Sequence, residues 1–322
     1  MPAVTTDNIL NLPRVSRPAP DARQRAVRRI ATAPRQLEGE GFEVRRAFPN
    51  AEFRESDPFL LLDHLGAVEY EPGEAKGAPW HPHRGFETVT YIMDGAFEHH
   101  DSTGGGGMIM DGATQWMTAG AGILHDEMPP EWLVTKGGLF HGTQLWVNLP
   151  KALKMTTPRY QNIGADKVVL LSSHDGGALI RLIAGDFDGQ AGPGVTWTPI
   201  TYAHVTLSPG SKLELPWNPE FNALAYALSG NGKAGTEGAS IREGQLAVFG
   251  PGDAISLEAD LTQDSKSPNL DVLVLGGQPI REPVFFHGPF VMSTRQEIFE
   301  AIEDYHAGRL GTIPASYLGK KA

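Results

Sequence analysis

HPHRGFETVTYIMDG, residues 81–95, and DGATQWMTAGAGILHDE, residues 111–127, decide how this chain is read, because both return later in altered form. The first lies over Pro216–Gly230, PWNPEFNALAYALSG, with Phe86 on Phe221, Tyr91 on Tyr226 and Gly95 on Gly230. The second lies over Glu243–Ala259, EGQLAVFGPGDAISLEA, with Gly112 on Gly244, Gly120 on Gly252 and Ile123 on Ile255. Between the two blocks the offset falls from 135 to 132 residues, which places a shorter hairpin in the second copy. Self-similarity at this spacing predicts one supersecondary design used twice. Around the blocks, short apolar runs such as Thr88–Met93, Leu145–Val147, Leu224–Leu228 and Val272–Leu275 are cut by Asp94-Gly95, Asp111-Gly112 and Gly230-Asn231-Gly232. Runs of that length between turn residues read as strands of a sandwich or barrel. The expected class is all-β, with two barrels of the same design.

The two ends differ from this pattern. Ser293 to Gln296 and Thr294 to Glu297 both have capping-box spacing, Ile298, Ile302 and Tyr305 recur at helical spacing, and Gly308 is a stop. This predicts a short C-terminal helix over 294–307. Residues 1–35 carry Arg14, Arg17, Arg23, Arg25, Arg28, Arg29 and Arg35 against Asp7 and Asp21. With little to bury, they read as an arm or a wrap-around extension, a solvated and partly ordered tail rather than a polybasic anchor. The expected organisation is an arm over 1–35, a first barrel over 36–160, and a second over 161–322 that includes the helix.

Composition narrows the function. The 322 residues hold 38 Gly and 25 Pro without a collagen period, which suits a turn-rich β protein. A net charge of −11 lacks the broad electrostatic footprint of a nucleic-acid binder. The absence of cysteine excludes thiolate metal sites, catalytic thiols and disulfides. No apolar run approaches the length of a membrane span, and the N-terminus shows no secretory h-region. A cytoplasmic protein without membrane or direct nucleic-acid partners is expected.

Six of the eleven histidines lie between 81 and 141. His81 and His83 are separated by one residue, and so are His125 and Glu127. Residues two apart on a strand share a face, so two such pairs on neighbouring strands can converge on one point. Three neutral imidazoles and a carboxylate suit a divalent metal, whereas the same four groups buried without one carry a large desolvation cost. If the strand runs straight through Gly85, Glu87 shares that face as an alternative ligand or as a carboxylate that orients an imidazole. His99 and His100 read as an exposed hairpin end, His64 and His141 as core or surface, and Arg84 as the partner of a nearby acid. Gly104–Gly107 has no Lys-Ser/Thr or helix start after it and reads as a flexible loop, not a phosphate cradle. In the second copy Pro216, Asn218, Leu257 and Ala259 replace His81, His83, His125 and Glu127, so one metal per chain is expected. The second barrel is expected to cover the first one's open edge and to position the helix.

HPHRGFETVTYIMDGAFEHHDS and QWMTAGAGILHDEMP resemble the signature of the pirin family, a two-cupin family. The resemblance continues through PFLLLDHLG at 58–66 and PFVMSTRQEIFEAIEDYHAGRLG at 289–311, covering roughly 36 to 312. It implies a bicupin of two jelly-roll barrels, with iron(II) on the residues that match the family's ligands, His81, His83, His125 and Glu127. It also implies quercetin 2,3-dioxygenase activity, or a role as a non-catalytic, redox-sensing regulator that works through a protein partner. The arginine-rich arm departs from the family. Relative to general cupin motifs the first glycine is closer to His81, and His125 sits later after Gly120, which favours Glu127 over Glu87 as the carboxylate ligand.

Four protein ligands on an octahedral ion leave two positions for a bidentate chelator. A flavonol offers its 3-hydroxyl and 4-carbonyl oxygens, and with dioxygen as co-substrate its ring is cleaved with release of carbon monoxide. Glu127, or alternatively Glu87, is the expected proton acceptor. Trp116, Phe86, Phe140 and Met117 are the expected apolar wall. A sugar isomerase ranks last for want of a phosphate-binding cluster. Nickel, copper, manganese, cobalt and zinc also accept this donor set.

Overall fold

The computed structural model describes residues 4–48, 53–263, 267–315 and 317. Its first half has a large sheet in the strand order Arg159–Ile163, Thr114–Thr118, Phe86–Asp94, Gly138–Asn148, Phe59–Tyr70, Phe42–Arg46, Arg35–Glu38. A small sheet follows the order Ala78–His83, Ile123–Met128, Phe97–Asp101, Gly106–Ile109. The second half repeats both. Its large sheet runs Val27–Thr32, Gln245–Phe249, Asn222–Ser229, Leu270–Gly277, Ile200–Leu207, Ala178–Ala184, Val169–Ser172. Its small sheet runs Lys212–Pro216, Ala254–Ala259, Asn231–Ala234, Ala239–Arg242. In the second half the two sheets share one buried core, in which Val205, Ala225 and Val274 meet Leu213, Ile255 and Leu257. This is the all-β, two-cupin architecture expected. Among the described residues no helix is long and apolar enough to cross a membrane.

The matching strand orders expose an exchange. Arg159–Ile163 precedes the second half in sequence yet borders the first half's sheet on Thr114–Thr118. Val27–Thr32 precedes the first half yet borders the second half's sheet on Gln245–Phe249. The arm is therefore a wrap-around extension, docked on the second half through Val27–Thr32, rather than a free tail. Arg14, Arg17, Arg23, Arg28 and Arg35 do face water, whereas Arg25 is buried and donates to the carbonyls of Gly252 (2.9 Å), Gly250 (3.3 Å) and Asn218 (2.9 Å). Turn carbonyls satisfy a guanidinium as well as water does.

The two large sheets pack back to back. Val89, Tyr91, Trp116 and Val147 of the first meet Tyr202, Leu224, Tyr226 and Leu275 of the second in one buried cluster. Polar pairs cross the same seam: Tyr91 OH to His204 Nδ1 at 3.0 Å, Thr143 Oγ1 to Tyr202 OH at 3.0 Å, and His64 Nδ1 to Tyr226 OH at 3.2 Å. The second half thus covers a sheet face of the first, not an open edge.

The helix forms at Arg295–His306, where Thr294 Oγ1 accepts from Glu297 N at 3.1 Å and Glu297 Oε2 accepts from Ser293 N at 3.0 Å. The second half does not position it. Ile298, Ala301 and Ile302 pack with Phe290, Met292 and Leu124, and Arg84 Nη2 reaches Asp304 at 2.8 Å, all on the first half's side. The chain's end returns because the hairpin Phe285–His287/Phe290–Met292 lies against the turn that follows His83. Buried Lys154 fastens that junction, its Nζ donating to Gly85 O (2.8 Å), Asn148 Oδ1 (2.7 Å) and Val291 O (3.0 Å). The three bonds use all three ammonium protons. Gly104–Gly107 is likewise not a loose loop. Gly106 and Gly107 pair with His100 and His99, and Asp101 Oδ1 accepts from Gly105 N at 3.1 Å.

Gly85 is the tightest point of the junction, with φ +92° and space for a Cβ only 2.0 Å from Val291 O. We expect Gly85→Ala to cost about 2–4 kcal/mol, through left-handed strain and displacement of the C-terminal hairpin. Urea unfolding measures the loss, and limited proteolysis should cut the variant first within residues 280–311.

Candidate metal centre

Ala78–His83 is an edge strand of the small sheet, which tolerates the missing N–H of Pro82. It runs antiparallel to Ile123–Met128 with His81 opposite His125 and His83 opposite Ile123. His81 Nδ1 lies 2.7 Å from Pro79 O, and His83 Nδ1 lies 3.2 Å from Pro289 O. A carbonyl only accepts, so each Nδ1 carries a proton, and in the neutral ring Nε2 is then the atom with the lone pair. Those two Nε2 atoms are 3.1 Å apart. His125 is fully buried, and its Nε2 has no hydrogen-bond partner among the described residues. Burial, reinforced by the neighbouring histidines, holds His83 and His125 well below the ordinary imidazole range, in the neutral form that a metal requires.

His81, His83 and His125 bring one ligand atom each within 4.8 Å of one another, and so do His99, His125 and Glu127. Three of the expected four thus come together directly, while Glu127 joins His125 in a second triad whose third member is His99. Glu127 Oε1 accepts from Thr90 Oγ1 at 2.8 Å, and Oε2 accepts from Gln144 Nε2 at 2.7 Å. Neutral imidazole lone pairs, an orphaned buried nitrogen and a carboxylate make a donor set that fits a divalent cation.

His99 was expected at an exposed hairpin end and is instead fully buried. It accepts from Gln115 Nε2 (2.7 Å), lies 3.3 Å from His125 Nδ1 and stacks on Tyr160. The signal was the alternation Phe97, His99, Asp101, which turns inward, while His100 faces outward to Asp126 at 2.9 Å. Glu87 is corrected in the opposite sense. The turn at Gly85 moves the chain from the small sheet to the large one, so Glu87 joins Val89 and Tyr91 on the face between the halves. There Thr118 Oγ1 donates to it at 2.5 Å. His64 and His141 bond one another, Nε2 to Nε2 at 2.8 Å, beside the same seam. Arg84 does pair with an acid, Asp304.

Sequence reasoning missed a polar row across the large sheet. Arg46 pairs with Asp63, Asp63 with Gln144, Gln144 with Thr90 and Thr90 with Gln115, all in register. The row includes both donors to Glu127 and the donor to His99. Asp63 in its leucine run, Gln144 and Gln115 were each visible as polar residues in apolar strands. Only the strand pairing aligns them.

His81, His83 and Glu127 line a cavity of about 550 Å³. Its aromatic wall is Phe42, Phe97, Trp146 and Phe286, the last two stacked with planes 5° apart. This replaces the expected wall. Phe86 supports Trp146 and His83 from behind, Phe140 backs Phe97, Met117 packs with Ile123, and Trp116 faces the other half.

In the second half Leu257 pairs with Leu213, and Ile255 with Leu215. These pairings are equivalent to His125 with His81 and Ile123 with His83. Leu213 and Leu215, rather than Pro216 and Asn218, thus occupy the places of the first two histidines. The second copy has three extra residues in the turn after this strand, which the ungapped alignment could not show. With Leu257 and Ala259, the four places are buried and apolar.

The sequence model of the pirin domain matches residues 41–147, and that of the pirin C-terminal cupin domain matches 202–311. A Pseudomonas aeruginosa protein provisionally named quercetin 2,3-dioxygenase is 41% identical over 279 residues, 86% of this chain and 95% of that one. A pirin-like protein of Solanum lycopersicum is 39% identical over 291 residues, 90% and 94% of the two chains. Among solved structures, a quercetin 2,3-dioxygenase from Acinetobacter baumannii shares 36% identity with a TM-score of 0.84, covering 91% of this chain and 100% of that one.

The position of Glu87 has a measurable consequence. Burial pushes its carboxyl up to about 7 from an ordinary value of 4.5, against the opposing Thr118 bond. Between those two pH values the folded state holds a proton that the unfolded state has released, so stability falls as pH rises through the window. Each pH unit there costs up to about 1.4 kcal/mol. Glu87→Gln has no such proton, and the loss of stability between pH 5 and pH 8 should be smaller in the variant. Equal pH dependence of urea midpoints in the two proteins would contradict this placement.

Proposed function

This chain belongs to the pirin family, and from that premise we propose that it is a metal-dependent dioxygenase cleaving a flavonol such as quercetin. In this reading His81, His83, His125 and Glu127 hold one iron(II) per chain, and the protein works in the cytoplasm. The observation that carries it is the set of imidazole lone pairs at the wall of an aromatic cavity large enough for a planar substrate. His81 and Glu127 both face that cavity, which favours catalysis over a closed, saturated sensing centre.

The ion, when bound, supplies Lewis acidity to the substrate's 3-hydroxyl and 4-carbonyl and a meeting point for dioxygen. The chain's own residues do the rest. Glu127 is the proton acceptor, and its two oxygens differ. At Oε2 the Gln144 amide can only donate, whereas at Oε1 the Thr90 hydroxyl can turn from donor to acceptor. The proton is therefore taken at Oε1. Trp146 is held by its own bond to Gln144 Oε1 at 3.0 Å and stacks on Phe286, a rigid face for a planar ring.

The test is carbon monoxide release and loss of flavonol absorbance by iron-loaded protein, metal-stripped protein and Glu127→Gln. Loaded protein should bind one ion per chain and turn over flavonols but not flavones that lack the 3-hydroxyl. Glu127→Gln should lose about 10²-fold or more in turnover where metal is retained. Equal turnover in all three, or two ions per chain, would overturn the reading.

A further inference from the structure

The polar row across the large sheet ends, on the side away from His99, in a charged cluster that the proposed chemistry does not use. Arg46 donates from Nε to Asp63 Oδ1 (2.8 Å) and from Nη2 to Asp63 Oδ2 (2.6 Å), with Nη2 also reaching Glu38 Oε1 (2.7 Å). All three residues line the same cavity as His81 and Glu127. Asp63 is 6% exposed, and its two-point grip fixes the plane of the guanidinium. Arg46 Nη1 is left over and makes no hydrogen bond among the described residues, and Glu38 Oε2 accepts none among them. Two carboxylates against one guanidinium leave the cluster a formal charge of −1.

We propose that Arg46 and Glu38 are specificity-determining residues that read neutral hydroxyl groups at the end of a polyphenolic flavonol remote from its chelating oxygens. The inference rests on the dioxygenase reading above. A phenol hydroxyl both donates and accepts, which matches a site offering a free N–H beside a free carboxylate oxygen. A vicinal pair of hydroxyls engages both at once. An unsubstituted ring would desolvate Nη1 and the carboxylate without replacing their water, the situation that gives polar sites their discrimination. A sulfated ring brings a second negative charge to a cluster that is already negative, and is rejected on that ground.

The test is anaerobic equilibrium dialysis of the metal-loaded full chain with quercetin, 3-hydroxyflavone and a catechol-ring sulfate of quercetin. Wild type should bind quercetin at least about tenfold more tightly than either of the others. Arg46→Lys keeps the charge and loses the planar fork, so quercetin binding should weaken until the preference over 3-hydroxyflavone falls to about twofold or less. Glu38→Gln, at a half-exposed side chain, should relax rejection of the sulfate. Preferences unchanged in both variants, or no preference in wild type, would overturn this inference alone. Failure of wild type to bind any of the three would overturn the dioxygenase reading and this inference with it.

Discussion

A carboxylate buried among imidazoles is the constraint around which the first half is built. Glu127 is 4% exposed, and both its oxygens are spent on neutral donors, Thr90 and Gln144. Such bonds recover part of the cost of burying the charge, but the net penalty for an uncompensated ion in a protein interior is still several kcal/mol. The arginine in the same cavity, Arg46, is committed to Asp63 and Glu38. Two nearby histidines, His83 and His125, are held neutral. A cation shared with the imidazole lone pairs would balance that charge. The same groups that would strain an empty core make a coherent donor set around one ion.

The scaffold keeps those groups in place by borrowing from distant sequence. His83 takes its tautomer from Pro289, 206 residues away, and the turn behind it is tied to Val291 through Lys154. The exchanged strands Val27–Thr32 and Arg159–Ile163 bind each half to the other, and the back-to-back sheets bury the faces turned away from both cores. At the places equivalent to those of His81, His83, His125 and Glu127 the second half has Leu213, Leu215, Leu257 and Ala259, which fill its core. Its large sheet covers the back of the half that carries the histidine cluster.

Much of this was legible in the residues because a strand has a period of two. His81/His83 and His125/Glu127 announce a shared face without any knowledge of the pairing, and the repeat of Phe86, Tyr91 and Gly95 announces the second half. What was hidden depends on register or on breaks in it. Glu87 has the right parity for a ligand until the Gly85 turn carries it into the other sheet. His99 looked exposed because His100 and Asp101 beside it are polar, although only alternate residues face the core. The row Arg46, Asp63, Gln144, Thr90, Gln115 spans five strands, and no local pattern joins positions 46 and 144. The arm and the C-terminal helix were recognised as elements, but their docking partners lie on the far side of the sequence.

The most direct measurement is an anomalous difference map, at the absorption edge of the native metal, from crystals of protein purified without added metal. One peak is predicted, about 2 Å from Nε2 of His81, His83 and His125 and from a carboxylate oxygen of Glu127. A peak held by His99 in place of His81 and His83, or one in the second half, would contradict the account.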